Sequence, residues 1–341
     1  MNTVPAKGRR PELPPGEYEF AVLGAGAIGS ILGAHLARAG HSVAMLARGR
    51  RAEQVRVRGL SITGLVELVT PVVTLTDPKE LSGARVLIVA MKTPGTADAL
   101  AALRHARIDV ALSIQNGPLK NDLLGESFGE QRVLGALADT SGELLASGDV
   151  VFTRNVNILL GELSGQVSER AQQIANDIDA SGVRAAAVAR IRTLEWSKFT
   201  GWVGLAALSV TTRAVTWRYL TDPGAALVVA RIVREMGRLA RALGIDLTDE
   251  SVLPVVTICS QSESDAVAAV LKVGREYESR APGHRMSALQ DLEAGRPLEV
   301  HETLGYALRK AAQNRIPMPL VDAFYQTIAA VDRIRHAGTN G

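Results

Sequence analysis

Three features of this 341-residue sequence predict an α/β fold, a doubly wound parallel sheet followed by an all-helical domain. Short apolar runs alternate with helix-like stretches from residue 18 to about 190. A glycine-rich turn joins the first such run to the first helix, and after about residue 190 the apolar spacing becomes helical. Alternating strands and helices favour parallel pairing through right-handed crossovers. The chain is therefore read as a tail (1–17), a sheet domain (18–190) and a helical domain (191–335).

Each element has its own signal. "YEFAVLG" (18–24) is a mostly apolar strand that ends in glycine. Ile28, Leu32, Leu36 and Ala39 then recur at helical spacing, and Gly40 is a plausible stop. "HSVAMLA" (41–47) is the next strand, followed by "ARVLIVAMK" (84–92), "DVALSIQNG" (109–117) and "RVLGALA" (132–138). "GDVVFTRNVNILLGE" (148–162) reads as a hairpin added to the sheet. Later segments such as "TLEWSKFTGWVGLAALSVTTRAV" and "GAALVVARIVREMGRLARALGI" carry the apolar period of helices.

Composition narrows the function. A chain of this length with 47% hydrophobic residues can bury a sizeable, mainly aliphatic interior, since aromatics make up only 4%. The formal net charge is +3, and the basic residues bunch in "RGRRAEQVRVR" (48–58), too local for a nucleic-acid footprint. That cluster is read either as a phosphate site or as a solvated basic loop. One cysteine, Cys259, excludes an internal disulfide, fits a reducing compartment and has no evident activating neighbour. No apolar run reaches the roughly 18 residues of a membrane span. The first 17 residues lack the apolar core of a signal peptide and read as a disordered tail. A cytoplasmic protein is expected. His35, His41 and His105 show no ligand spacing and the acidic residues form no metal cluster, so no metal is expected.

"GAGAIG" (Gly24, Ala25, Gly26, Ala27, Ile28, Gly29) fits G-x-G-x-x-G in the strand–turn–helix setting that gives the motif meaning. Gly24 allows the tight turn, Gly26 lets backbone approach a pyrophosphate, and Gly29 permits close packing of helix on strand. The helix N-terminus then faces the phosphates. This is the Rossmann-type arrangement. Arg48 lies 19 residues beyond Gly29, at the end of the second strand, where NAD enzymes carry an acidic residue. A guanidinium there, with Arg50 and Arg51 beside it, favours a 2′-phosphate and hence NADP(H).

In "RTLEWSKFTGW" (192–202), Lys198 has two readings. Packed among Trp196, Phe199, Trp202 and Val203, its amine would lose solvation and become a competent acid for a developing alkoxide. Alternatively it is a snorkelling lysine paired with Glu195 three residues earlier, worth a few tenths of a kcal/mol. Glu299 follows "AGRPL". Gly295 reads as a helix terminator and Pro297 as a first helical residue, which places Glu299 in an opening helical turn. Asn116, before Gly117 and Pro118, is by default a turn residue, yet it closes a strand at the sheet end where ligands bind. His284 and His301 flank the "SALQDLEAGRPLE" segment and are read either as substrate contacts or as ordinary polar surface histidines.

Taken with "AMKT" (90–93), "IQNG" (114–117), "EWSKF" (195–199) and "MSALQDLEAGRPLE" (286–299), in that order, the chain resembles the ketopantoate reductases, or 2-dehydropantoate 2-reductases, over about residues 19–335. The resemblance implies NADPH-dependent reduction of a 2-oxo acid, ketopantoate first, within pantothenate biosynthesis. Lys198 would polarise the keto oxygen and donate the proton, and Glu299 would position the active-site groups at the nicotinamide end. Asn116 would lie near nicotinamide and substrate, Ser287 would contact substrate, and Lys92 would sit at the cofactor's edge. Where the family carries asparagines four and eight positions after the lysine, this chain has Trp202 and Ala206, and Trp202 becomes a substrate-contacting residue. "EVHETLG" (299–305), with His301 and Glu302, also departs from the family's "EIDxING". A reductase of another 2-oxo acid or ketone, and a non-catalytic NADP-binding sensor, are the rival expectations. The expected partner is a small-molecule acid, without nucleic acid or membrane, and a homodimer is allowed for.

Overall fold

The computed structural model describes residues 13–337, so most of the expected tail lies outside the described residues. Glu17, assigned to that tail, opens the first strand. The strands are β1 (Glu17–Leu23), β2 (Val43–Leu46), β3 (Leu60–Gly64), β4 (Leu68–Thr70), β5 (Val73–Leu75), β6 (Gly83–Val89), β7 (Arg107–Ser113), β8 (Val133–Leu144), β9 (Val150–Glu162) and β10 (Ala185–Ala187). Between them run α1 (Ala27–Arg38), α2 (Gly49–Arg58), α3 (Thr96–Ala101), α4 (Leu119–Phe128) and α5 (Glu169–Ala180).

All ten strands form one sheet in the order β4-β3-β9-β8-β7-β6-β1-β2-β5, with β10 on β9. The central β7-β6-β1-β2 run is parallel, with Phe20 level with Val43 and Val86. Its strands are buried on both faces, as sheets covered on both sides require. Phe20 and Val22 point into one apolar layer with Ile31 and Leu36 of α1, while Ala21 and Leu23 point into the other with Leu100 and Leu124 of α3 and α4.

Two expectations are corrected here. Residues 148–162 are not a hairpin. They supply one long strand, β9, which pairs antiparallel with β8 through Ala138↔Ile158 and makes the sheet mixed. β8 itself runs past Ala138, where the apolar run stops, because its outer half carries the polar "DTSGEL" that a two-stranded arm can expose. The basic stretch 49–58 is not a loop but the helix α2, with Ala52 and Val55 buried and Arg50, Arg56 and Arg58 exposed.

After β10 the described chain is helical, in α6 (Ile191–Thr212), α7 (Thr216–Leu220), α8 (Pro223–Ala242), α9 (Val255–Ser260), α10 (Glu263–Arg280), α11 (Ser287–Glu293), α12 (Leu304–Gln313) and α13 (Pro319–Ala337). α6 is the axis of this half. Nearly every residue from Leu194 to Val210 is buried, as in a helix that is apolar all round. α8, α9, α11 and α13 pack around it. The fold is thus an N-terminal Rossmann-like domain followed by a helical region. No described helix is long and apolar enough to cross a membrane.

Candidate active site

The glycine turn is built as its spacing requires. Gly24 has φ +109°, and a Cβ there would lie 2.7 Å from the Met91 nitrogen. At Gly29 a Cβ would fall 2.0 Å from the Gly24 oxygen, so only glycine lets α1 start this close to β1. Gly26 has its nearest such neighbour, the Ala90 oxygen, at 3.8 Å, which leaves the backbone open to approach. Ala27 and Ile28 begin α1, whose free N–H groups point at that opening. The turn therefore fits the pyrophosphate of a dinucleotide.

The three arginines divide. Arg51 is committed inward: Nε donates to the Ala25 carbonyl (2.8 Å), Nη2 to Ser30 Oγ (2.9 Å) and Nη1 to the Gly148 carbonyl (2.7 Å). Arg50 donates to the Ala146 carbonyl. Both are thus engaged with protein oxygens, and burial lowers the pKa of Arg51. Arg48 stands exposed at the N-cap of α2.

Lys198 does not pair with Glu195. Its Nζ donates to the Ala138 carbonyl (2.8 Å) and borders a hollow of about 320 Å³ that Asn116, Gly117 and Trp202 also line. The residue is half-buried overall, and its ammonium end is enclosed. Burial, then the nearby charge of Lys120, pull its pKa down to about 8; Asp139 and Glu195 oppose this and Arg154 adds to it. Glu195 is held elsewhere, by Lys120 Nζ (3.0 Å), Asn121 Nδ2 (2.6 Å) and the Ala136 N–H (3.0 Å).

Glu299 also departs from expectation. Gly295 does adopt a left-handed turn after α11, but Pro297 starts no helix and α12 begins only at Leu304. Glu299 sits in the irregular segment between them, because its carboxylate is taken up across the crevice. Oε1 accepts from the Thr93 N–H (2.8 Å) and Thr93 Oγ1 (2.9 Å), at the end of β6. Lys92 Nζ lies 3.7 Å from Glu299 and 2.6 Å from Asp291. Glu299 borders a second hollow, of about 330 Å³, which shares the Trp202 wall with the first. Ser287 opens α11 half-buried and lines neither hollow.

Sequence reasoning missed Lys120, Asp291 and Thr93, and cast Glu195 only as a surface partner. Thr93 closes "AMKT" and Asp291 lies within "MSALQDLEAGRPLE", so both sat in quoted motifs without being singled out, whereas Lys120, four positions after Asn116, carries no such signal. His284 bonds to Thr216 Oγ1 and His301 to Tyr325 Oη, and neither lines a hollow. Cys259 is half-buried, its thiol pKa pushed up by burial. Among the described residues no group of three or more His, Cys, Asp or Glu side chains could hold a metal.

A dinucleotide-type glycine turn in one half and a desolvated lysine facing a hollow in the other fit a nicotinamide-dependent oxidoreductase acting on a CH–OH carbon. The sequence matches the ketopantoate reductase PanE/ApbA family model over residues 20–165 and the corresponding C-terminal model over residues 190–332. The chain belongs to the ketopantoate reductase family. The 2-dehydropantoate 2-reductase of Archaeoglobus fulgidus is 28% identical, with 86% of this chain and 90% of that protein aligned. A ketopantoate reductase structure from Ralstonia eutropha superimposes with a TM-score of 0.79 at 24% identity, covering 93% of this chain and 99% of that one. A D-mandelate dehydrogenase bound to NADH and anilino(oxo)acetate has the same TM-score, 0.79, at 18% identity and the same coverage, 93% and 99%.

Proposed function

We propose that this protein reduces a 2-oxo acid to the 2-hydroxy acid with NADPH, and that Lys198 is the proton donor. One observation carries the reading: a desolvated ammonium group, tethered to a neutral carbonyl rather than a carboxylate, faces a hollow beside Asn116. When bound, the nicotinamide supplies a hydride to the carbonyl carbon. Negative charge then gathers on the substrate oxygen, and Lys198 meets it first as a cation and then by giving up its proton. A lysine with a pKa of about 8 is a stronger acid than an ordinary one and is still charged at neutral pH. Water reprotonates it after the alcohol leaves.

The other roles follow from placement. Gly24 to Gly29 would take the pyrophosphate, and Arg48, the arginine not seen bonding inward, the 2′-phosphate. Glu299 would hold the Lys92–Thr93 end of β6 in place at the nicotinamide edge, with Lys92 beside it. Asn116 and Trp202 would meet substrate in the lysine hollow, with Ser287 at the start of α11.

Ketopantoate is the acid the relatives' names supply. A second reading of the substrate rests on the second hollow, lined by Ala206, Val210, Leu298, Val300, Leu304 and Ile328. Three of its polar groups already bond to protein: Glu299 Oε1 accepts from Thr93, Asp291 pairs with Lys92 and Arg296, and Thr303 donates to the Glu299 carbonyl. That lining favours an acid whose side chain ends in carbon. For either acid, Lys198→Ala is expected to lower turnover by about two orders of magnitude or more, with NADPH affinity, followed by fluorescence titration, little changed. Near-normal turnover in that variant would remove Lys198 as the donor.

A further inference from the structure

Lys120 and Glu195 form an ion pair whose side chains are only 4% and 3% exposed, on the wall of the hollow that Lys198 enters. Such a pair is a weak source of stability, because desolvating two charges offsets their attraction, and apolar replacements are often neutral or better. Its geometry serves something else. Glu195 precedes Lys198 by three residues on α6, the spacing at which a helical carboxylate and lysine normally meet. Instead its Oε1 accepts from Lys120 and from the Ala136 N–H (3.0 Å), and its Oε2 accepts from Asn121 (2.6 Å). Lys120 also donates to the carbonyls of Gln115 (3.1 Å) and Ala136. One carbonyl therefore belongs to the residue before Asn116. The other lies two residues before Ala138, whose oxygen receives the Lys198 ammonium (2.8 Å).

We propose that Lys120 and Glu195 are a positioning pair for the proton donor: they withhold the neighbouring carboxylate from Lys198 and fix the turn after β7 that carries Asn116 and the stretch of β8 that carries the Ala138 carbonyl. The proposal rests on Lys198 being the donor. Without Lys120, the Glu195 carboxylate would be the nearest unanswered charge to Lys198, and the ammonium would turn from the substrate oxygen to a stable ion pair. The charges acting on Lys198 come from α4 (Lys120), α6 (Glu195), β8 (Asp139) and β9 (Arg154). Lys120 and Arg154 favour loss of its proton and the two carboxylates favour retention, so removing either member of the pair tips the balance in a known direction.

The test is the pH dependence of kcat and kcat/KM for the full-length enzyme with NADPH and whichever 2-oxo acid the wild type reduces. Activity in the reductive direction needs the ammonium form, so the wild-type profile should fall on the alkaline side, near pH 8. Lys120→Met should move that limb to higher pH and lower kcat at neutral pH by about tenfold or more, as the freed carboxylate captures the donor. Glu195→Gln should move it to lower pH. The double variant K120M/E195Q leaves no unpaired charge, should keep the limb near its wild-type place, and should still show reduced kcat because the Ala138 anchor has lost its support. A purely structural pair would lower activity without moving the limb. Limbs that stay fixed, or shift in the same direction in both single variants, overturn the proposal. Should the single variants fail to fold, wild-type kcat in the double variant does so. Lys198→Ala run alongside separates the two claims: if it stays inactive while the limbs do not move, only the pair is refuted, and if it turns over normally, the donor itself is wrong.

Discussion

Ketopantoate and 3,3-dimethyl-2-oxobutanoate differ by one terminal hydroxyl, and that difference reads out the hollow beyond Trp202. Along one face of α6, Lys198, Trp202, Ala206 and Val210 follow at four-residue steps of about 6 Å, so a side chain leading away from the lysine passes the indole toward Ala206. Around Ala206 and Val210 a hydroxyl meets methyl and branched carbon, while Asp291, Glu299 Oε1 and Thr303 already bond elsewhere. A buried hydroxyl without a partner costs about 1–3 kcal/mol, or about 5- to 150-fold in kcat/KM. The wild type is therefore expected to prefer 3,3-dimethyl-2-oxobutanoate over ketopantoate within that range, in steady-state assays following NADPH absorbance at 340 nm (about 30-fold is the central figure from the same estimate). Ala206→Asn returns an amide to the wall and should shrink the ratio or reverse it. A wild-type enzyme that favours ketopantoate by tenfold or more, with Ala206→Asn giving no further gain, would refute the apolar reading of the hollow and restore ketopantoate as the substrate.

Two other outcomes follow from the cofactor turn. Arg48→Asp replaces the exposed guanidinium at the start of α2 by a carboxylate, and NADPH should lose about tenfold or more relative to NADH; an unchanged ratio of kcat/KM values for the two cofactors would show that the 2′-phosphate is read elsewhere. Gly29→Ala forces a methyl to within 2.0 Å of the Gly24 oxygen, and that overlap should cost about 1–3 kcal/mol of stability and weaken dinucleotide binding. Thermal melts with and without NADPH test both parts, and a variant that melts and binds like the wild type would mean that α1 can slide away from β1 freely.

What could be read from the sequence was whatever lies within one stretch of chain. The β1–α1–β2 unit is legible because Gly24, Gly26 and Gly29 act on neighbouring backbone, and the helical half because its apolar residues recur at one period. Lys198 drew notice for a local reason, an amine among aromatic residues. The partners that set its state are not local. Lys120 reaches Glu195 across 75 positions only after β7, β8 and α6 have come together. Thr93 and Glu299 are 206 positions apart. Glu299 looked helical because glycine and proline preceded it, but a tertiary bond held the segment open instead. The long β9 was divided into a hairpin because its polar centre, "TRN", resembles a turn when the strand beside it is unknown. Of the three arginines after β2, sequence could not tell which bond to protein oxygens, since the Ala25 and Gly148 carbonyls that hold Arg51 carry no side-chain signature.

The crevice is spanned by polar ties on both sides of Trp202. On one side α6 reaches β8, through Lys198 to the Ala138 carbonyl and Glu195 to the Ala136 N–H. On the other, Lys92 and Thr93 at the end of β6 reach Asp291 and Glu299. Each tie uses a charged group at the carboxyl end of the sheet or beside it, where such sheets bind their ligands. The buried bonds of this kind are worth about 1.5–3 kcal/mol each, and the Lys92–Asp291 pair, with its half-exposed lysine, about 1 kcal/mol or less. Separating the two halves would break several at once, so the walls on either side of the indole are set before substrate arrives. On the proposed function, discrimination between 2-oxo acids then falls to the shape and polarity of the space around Trp202. That is why one carbon-to-amide change at Ala206 should alter which acid is reduced while leaving Lys198, the proposed proton donor, as it was.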